Sequence, residues 1–349
     1  MYEDYYRFSA KPFQLNPDPR FFFGSKGHKR AMAYLDYGLS LGEGFIVISG
    51  EVGAGKTTLV RNLFRQLDSH SLVAAQLVST QMDAEDTLRS VAASFGLEHE
   101  GLAKSSLLKN LEDFLIAATR QGKRALLVVD EAQNLTPRAV EELRMLSNFQ
   151  NNDRSLIQTF LLGQPEFRSI LQSPNMQQLR QRVVASYHLG PLDSGETQGY
   201  TEHRLRTVGW QGNPSFDNEA FATLHRFTGG IPRRINTLCD RLLLFGFLEE
   251  KSHFGDAEIN EVIADLKTEM AHQDFPGPTG VTGLSHAPQS LQAEDNQRLA
   301  LRVEQMERSV NRILPIVRKI LFTVSERPDQ ADMPEAAATA TAPQPLNPG

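Results

Sequence analysis

The residues with the most chemistry in this chain stand in "GEVGAGKT", Gly50 to Thr57. The stretch fits G-x-x-x-x-G-K-[ST], a loop whose glycines let backbone N–H groups wrap phosphate oxygens. Gly50, Glu51, Val52, Gly53, Ala54 and Gly55 supply that backbone, and Thr58 continues it. Lys56 can reach the terminal phosphates, and the Thr57 hydroxyl is a hard oxygen suited to magnesium. A second group closes "RALLVVDEAQNL". At the carboxyl end of a strand Asp130 can complete a magnesium shell, while Glu131 can turn toward the terminal phosphate and polarise a water. Three further positions fit the same reaction. Gln164 tips the apolar run of "FLLGQPEF", where an amide can orient water or simply form a Gln-Pro turn. Arg180 and Arg182 in "LRQRVVASYHLG" can reach a neighbouring subunit's phosphate or pair on a helix surface. Arg233 and Arg234 open a helix in "TGGIPRRIN"; cations are disfavoured at a helix N-terminus, so they call for an anion.

Something must hold these groups together. Apolar runs at Phe45–Ser49, Leu72–Val78, Ala125–Asp130, Leu156–Gly163 and Ala185–Gly190 read as strands buried on both faces, separated by helical patterns. That order predicts an α/β core with a parallel sheet over residues 1–192. The phosphate loop then lies between the first strand and a helix beginning near Gly55, the context the motif requires. From 193 to 271 the strand signals stop, and helices are expected near Ser194–Val208, Asp217–Phe227, Pro232–Leu248 and Ala257–Met270, a small all-helical lid domain. Residues 272–292 are rich in Pro, Gly and Ser and read as a linker. Over 293–326, Leu299, Val303, Met306, Val310, Ile313, Val317, Ile320 and Val324 step by alternating fours and threes, a heptad seam that suits a coiled coil or an amphipathic membrane-surface helix. Pro315 should kink it. Residues 327–349 are Ala/Pro-rich and expected to be disordered.

Composition narrows the classes. A net charge of −6 gives no push toward nucleic acid. The single cysteine, Cys239, excludes a disulfide framework and a cysteine-based zinc site. The aromatic, acidic start is not a secretory signal, and no apolar run reaches the ~18 residues a bilayer span needs. A cytoplasmic protein without a transmembrane segment is expected.

Taken together, "YYRFSAKPFQLNPDPRFFF", "GEVGAGKTTLVRNL", "LLVVDEAQNL", "LLGQPEF", "LRQRV" and "GGIPRRINTLCDRLLL" resemble the AAA+ ATPases of the general secretion pathway protein A (ExeA) type, and within them the exosortase/PEP-CTERM-associated secretion ATPases. The resemblance covers residues 1 to about 270. It implies a P-loop NTPase (AAA+) core with a five-stranded parallel sheet, a helical lid, ATP and Mg2+ as ligands, and homo-oligomers in which one subunit's arginine completes the next subunit's site. It makes Lys56, Thr57 and Asp130 the nucleotide and magnesium holders and Glu131 the catalytic carboxylate. Gln164 is similar to a sensor-1 residue and Arg233 to the sensor-2 arginine; Arg182, then Arg180, is similar to the arginine finger. The aromatic N-terminal segment and the helix from Lys26 to Leu41 would border the adenine or pack in the core. The longer secretion proteins of the type carry a transmembrane helix and a peptidoglycan-binding domain after the ATPase; here a linker, a heptad helix and a tail follow.

Three function classes fit these motifs. An ATP-hydrolysing switch for membrane-associated secretion or polysaccharide-export components leads, cytoplasmic or peripheral at the inner membrane. A nucleic-acid-associated ATPase of the transposition or initiation type shares the pattern, but no dense Lys/Arg run marks a DNA-reading tail. A kinase would need an acceptor pocket, and no acceptor residues stand out.

Overall fold

The computed structural model describes residues 1–273 apart from 69, 79–81 and 152–153. The heptad helix and the tail, and all but the first residues of the linker, lie outside the described residues.

Alternate residues of two central strands divide cleanly between two hydrophobic clusters. In β1 (Phe45–Gly50), Phe45 and Val47 join one cluster while Ile46 and Ile48 join the other. β3 (Arg124–Asp130) splits in the same way, with Leu127 and Val129 opposite Leu126 and Val128. This period of two, apolar on both sides, is what a central parallel strand requires. β2 (Leu72–Val78), the short antiparallel pair β4 (Gln150–Asn151) and β5 (Arg154–Ser155), β6 (Ile157–Gly163) and β7 (Val183–Leu189) complete this half. The main sheet has the order β2-β3-β6-β1-β7 and every pairing is parallel.

Helices cover both faces. α2 (Lys26–Leu41) and α3 (Lys56–Gln66) bury Ala31, Leu35, Leu59, Val60 and Leu63 on one side. α4 (Ala84–Ser94), α5 (Lys104–Arg120), α6 (Pro137–Leu146) and α7 (Pro165–Gln172) cover the other. In α5, Leu107, Leu111 and Leu115 form a stripe four residues apart, the spacing that puts side chains on one helical face. The short α8 (Gln177–Arg180) leads into the edge strand β7. The adjacent strands β3, β6 and β1 therefore end side by side, and the chain leaves them at Asp130, Gly163 and Gly50. A parallel α/β sheet binds ligands at such carboxyl ends.

The second hydrophobic assembly belongs to the helices α9 (Ser194–Thr207), α10 (Asn218–Thr228), α11 (Pro232–Leu248) and α12 (Asp256–Gln273). Their bounds fall within a few residues of the expected ones. Two expectations are corrected. This part is not all helical, because β8 (Ser215–Phe216) pairs in parallel with β9 (His253–Phe254). And the chain's first residues do not pack in the sheet domain. Tyr2 and Tyr6 of α1 (Tyr2–Tyr6), with Phe8, Phe13 and Phe21, are buried among the lid helices. The Tyr2 hydroxyl donates to Asp240 at 2.5 Å, and the Tyr6 hydroxyl to the Lys251 carbonyl at 2.8 Å. Cys239 is enclosed in the same cluster, and burial pushes its thiol up to about 12.

Candidate functional site

β1 delivers its loop to the open end of the sheet. Gly53 and Gly55 sit at φ +82° and +100°, conformations that L side chains rarely adopt. The loop feeds directly into α3, whose first residue is Lys56. The Lys56 ammonium is buried and donates to the carbonyls of Gly50 and Glu51 at 2.7 and 3.1 Å. Burial lowers its pKa, against the opposing pull of the Glu131, Asp130, Glu51 and Glu166 charges. One residue on, the Thr57 hydroxyl donates to Asp130 Oδ2 at 2.9 Å. Two hard oxygens thus meet at the end of β3. Among the described residues no group of three or more His, Cys, Asp or Glu could hold a metal. That donor set fits magnesium, which keeps waters and takes one or two protein oxygens beside its phosphates.

Glu131 leaves the strand in the left-handed region, φ 54° and ψ 40°. Its backbone N–H donates to Asp130 Oδ1 at 3.0 Å, which fixes the Asp130 carboxylate from its second side. Two amides converge on Glu131 Oε2: Gln133 Nε2 at 2.6 Å and Gln164 Nε2 at 3.2 Å. The Gln164 backbone N–H donates in turn to Gln133 Oε1 at 3.0 Å. Gln164, expected near the attacking water, therefore reaches the site by way of Glu131.

The lid closes the arrangement through backbone contact. The Arg233 N–H, in the first turn of α11, donates to the Gly53 carbonyl at 3.2 Å. A Cβ added at Gly53 would collide with Arg233 Cβ. The helix N-terminus and its arginine are thus docked on the phosphate loop itself.

Between them lies a cleft of about 360 Å³, lined by Val52, Gly53, Gly55, Lys56, Thr57, Thr58, Glu131 and Arg233 of the predicted set. Gly50 and Asp130 end strands behind it, and Ala54 is buried beneath the loop. The rest of the wall comes from the N-terminal segment and α2, for which the resemblance offers a place beside the adenine or in the core, and from lid residues that sequence reasoning left without a role. The N-terminal arm supplies Gln14 to Asp18 and Phe21 to Phe23; His28, Tyr200, Arg204, Pro232 and Asn236 complete it. His28 is held by a 2.7 Å hydrogen bond with Ser25 Oγ, and a Cβ at Gly55 would lie 2.8 Å from its Nε2. Burial lowers the His28 pKa. The buried Arg204 guanidinium donates to the Pro12 and Gln14 carbonyls at 2.6 and 3.2 Å and lies over Phe21, 4.6 Å from the ring centroid. Arg61 of α3 donates to the Pro17 carbonyl. The aromatic segment divides: its first part packs in the lid core, and Phe21 to Phe23 line the cleft. Only a shared wall of lid, arm and phosphate helix makes this visible, and no local spacing encodes it.

Neither finger candidate reaches this cleft in its own chain. Arg182 donates to the Ser147 carbonyl at 3.2 Å, to Ser147 Oγ at 2.9 Å and to Asn148 Oδ1, just past the C-terminus of α6. Arg180 donates to the carbonyls of Leu171 and Ser173 at 2.9 and 3.3 Å.

With this geometry in place, similarity to known proteins adds the class. Residues 40–171 match the family described as an AAA domain. Over 248 residues the chain is 40% identical to "General secretion pathway protein A" of Aeromonas hydrophila, covering 71% of this chain and 45% of that protein. The chain thus spans less than half the length of that relative. Among solved structures, ORC2 of Aeropyrum pernix in ADPNP–ADP complexes superposes with a TM-score of 0.58 at 16% identity, covering 74% of this chain and 72% of that one. Cdc6p of Pyrobaculum aerophilum gives a TM-score of 0.54 at 15% identity, covering 76% and 74%. The fold is therefore that of an α/β P-loop NTPase.

Proposed function

We propose that this chain, a P-loop NTPase by fold, binds ATP in the cleft and hydrolyses it to ADP and phosphate as an AAA+ switch. The observation that carries the reading is the convergence on one cleft of a buried lysine, the Thr57–Asp130 oxygen pair, Glu131 and a lid arginine docked on the phosphate loop.

The loop's N–H groups and Lys56 hold the β- and γ-phosphates, and the lysine's present carbonyl partners, Gly50 and Glu51, keep the ammonium beside the loop. Thr57 and Asp130 would hold Mg2+, which would supply charge neutralisation at the phosphates. Glu131 takes a proton from a water as the water oxygen bonds to the γ-phosphorus. The bond to the bridging oxygen breaks, and its electron pair leaves with ADP. Gln164 steadies Glu131, and Arg233 from the lid balances the charge that develops. Arg182, presented away from its own cleft, is proposed to complete the cleft of the next subunit in a homo-oligomer, with Arg180 as the alternative.

The system being switched is proposed to be an envelope secretion or exopolysaccharide-export complex of the exosortase-associated kind, with the chain cytoplasmic or peripheral at the inner membrane. Support comes from the 40% identity to a secretion-pathway protein and from the motif set quoted above. No helix among the described residues is long and apolar enough to cross a membrane.

Glu131→Gln tests the enzymatic half. Phosphate release should fall by about 100-fold or more while ATP binding persists; normal turnover would remove Glu131 from the reaction. Capture of partners by the ATP-loaded variant tests the other half. Enrichment of export components is expected, whereas tight, salt-sensitive DNA binding would replace this reading with the nucleic-acid one.

A further inference from the structure

We infer that Gln133 is a positioning residue for hydrolysis, whose amide selects the oxygen of Glu131 that receives the proton and ties that carboxylate to the strand end bearing Gln164. The inference rests on the ATPase reading above and adds a residue to it.

The geometry is a closed triangle. Gln133 Nε2 donates to Glu131 Oε2 at 2.6 Å, and Gln133 Oε1 accepts the Gln164 backbone N–H at 3.0 Å. The third side is Gln164 Nε2 to Glu131 Oε2 at 3.2 Å. An ionised carboxylate only accepts and a backbone N–H only donates, so the Gln133 amide satisfies both neighbours in one orientation alone. Both side-chain amides choose the same oxygen of Glu131. Oε2 is thereby occupied twice, and Oε1, which accepts from neither amide, is left for the water.

Local backbone explains why Gln133 can do this. A strand continued past Asp130 would space residues 131 and 133 about 6.6 Å apart along one face. Glu131 instead takes the left-handed conformation, and Ala132–Asn134 close a single 3₁₀ turn. That reversal brings an amide two residues downstream back over the carboxylate. The neighbouring strand β6 completes the frame, because Val129 and Leu161 are in register and both strands end just beyond them. A long, freely rotating glutamate on an exposed turn would lose its aim; two hydrogen bonds from different strand ends remove that freedom.

The test is steady-state phosphate release together with equilibrium binding of a fluorescent ATP analogue, on the full chain. Gln133→Ala and the volume-keeping Gln133→Met are measured alone and combined with Glu131→Gln. We expect kcat to fall by about 10- to 100-fold in both single variants. KM and analogue affinity should stay within about threefold, and neither variant should lower kcat further once Glu131 is already Gln. The inference is overturned by an unchanged kcat, by a loss of binding that matches the loss of kcat, or by additive losses with Glu131→Gln. Failure of both variants to fold would reduce Gln133 to a structural tie and overturn it as well. If the wild-type chain releases no phosphate, the ATPase reading itself falls; if Glu131→Gln turns over like the wild type, Glu131 leaves the reaction and the inference falls with it; if that variant is dead and the Gln133 variants are normal, the positioning role alone falls.

Discussion

At the scale of single residues the site depends on buried polar groups that have definite partners, and His28 makes that dependence measurable. Its ring is enclosed against Gly55 and hydrogen-bonded to Ser25, and burial holds its pKa below the ordinary 6.5. Above that value the imidazole is neutral in both folded and unfolded chains, so it adds no pH dependence. As pH falls below it, the unfolded chain binds a proton that the folded chain refuses, and stability declines until the folded pKa is reached. The slope contributed by one such proton is at most about 1.4 kcal/mol per pH unit. His28→Gln should flatten the acid side of the stability curve, read by urea denaturation between about pH 6.5 and 5. His203 is depressed in the same direction, also by burial, and is untouched in both proteins, so it cancels in the comparison. Identical slopes would mean that the ring is protonated as easily in the fold as outside it. The phosphate loop, Asp130, Glu131 and Gln164 were legible from sequence because each stands at a strand end in a fixed chemical order. Gln133 was not, although it lies in the quoted "DEAQNL", because its contact with Glu131 exists only through the left-handed turn at that residue.

Elements were legible wherever burial imposes a period. The five strands of the main sheet and the four lid helices match their expected runs to within a few residues. Two-sided burial fixes the period of β1, β3 and β6, whereas the edge strands β2 and β7, expected to be buried on both faces, leave many positions half-buried or exposed because only one neighbour covers them. β8 and β9 are too short to carry a period and were missed. The contact with the most consequence at this scale is α11 on the phosphate loop. Gly53 and Gly101 isolate it, because both have positive φ, +82° and +67°, but nothing lies within 4 Å of a Cβ at Gly101. Gly101→Ala should cost about 1 kcal/mol from backbone strain alone. Gly53→Ala adds a collision with Arg233 and should cost a further 1–3 kcal/mol or so, measured by urea denaturation without nucleotide. Equal costs would show that the lid yields freely and is not docked on the loop.

At the scale of the whole molecule the N-terminal arm joins lid and core, and its destination could not be read from its own sequence. The buried Arg204 of α9 grips the Pro12 and Gln14 carbonyls, and Arg61 of the phosphate helix grips that of Pro17. Both contacts join residues far apart in the chain, and carbonyl acceptors carry no side-chain signature. The arm is thus tied to the lid at one point and to the phosphate helix at another, with Phe21 to Phe23 facing the cleft between. Arg182 stands just before β7, at the amino end of the sheet and away from this wall, held by Ser147 and Asn148 beyond the end of α6, where helix carbonyls favour a positive charge. Since it lies outside its own cleft, its proposed effect on hydrolysis must pass to another copy. Arg182→Ala subunits should then hydrolyse ATP poorly alone, by about 10³-fold if the arginine acts as a full finger. Lys56→Ala subunits, which keep Arg182, should be inactive for a separate reason. Mixing the two places a Lys56→Ala subunit's arginine at an intact Arg182→Ala cleft, so activity should return in proportion to such mixed contacts. A mixture that stays as inactive as its parts would assign Arg182 to the stability of its own subunit, where its three acceptors already give it a structural place.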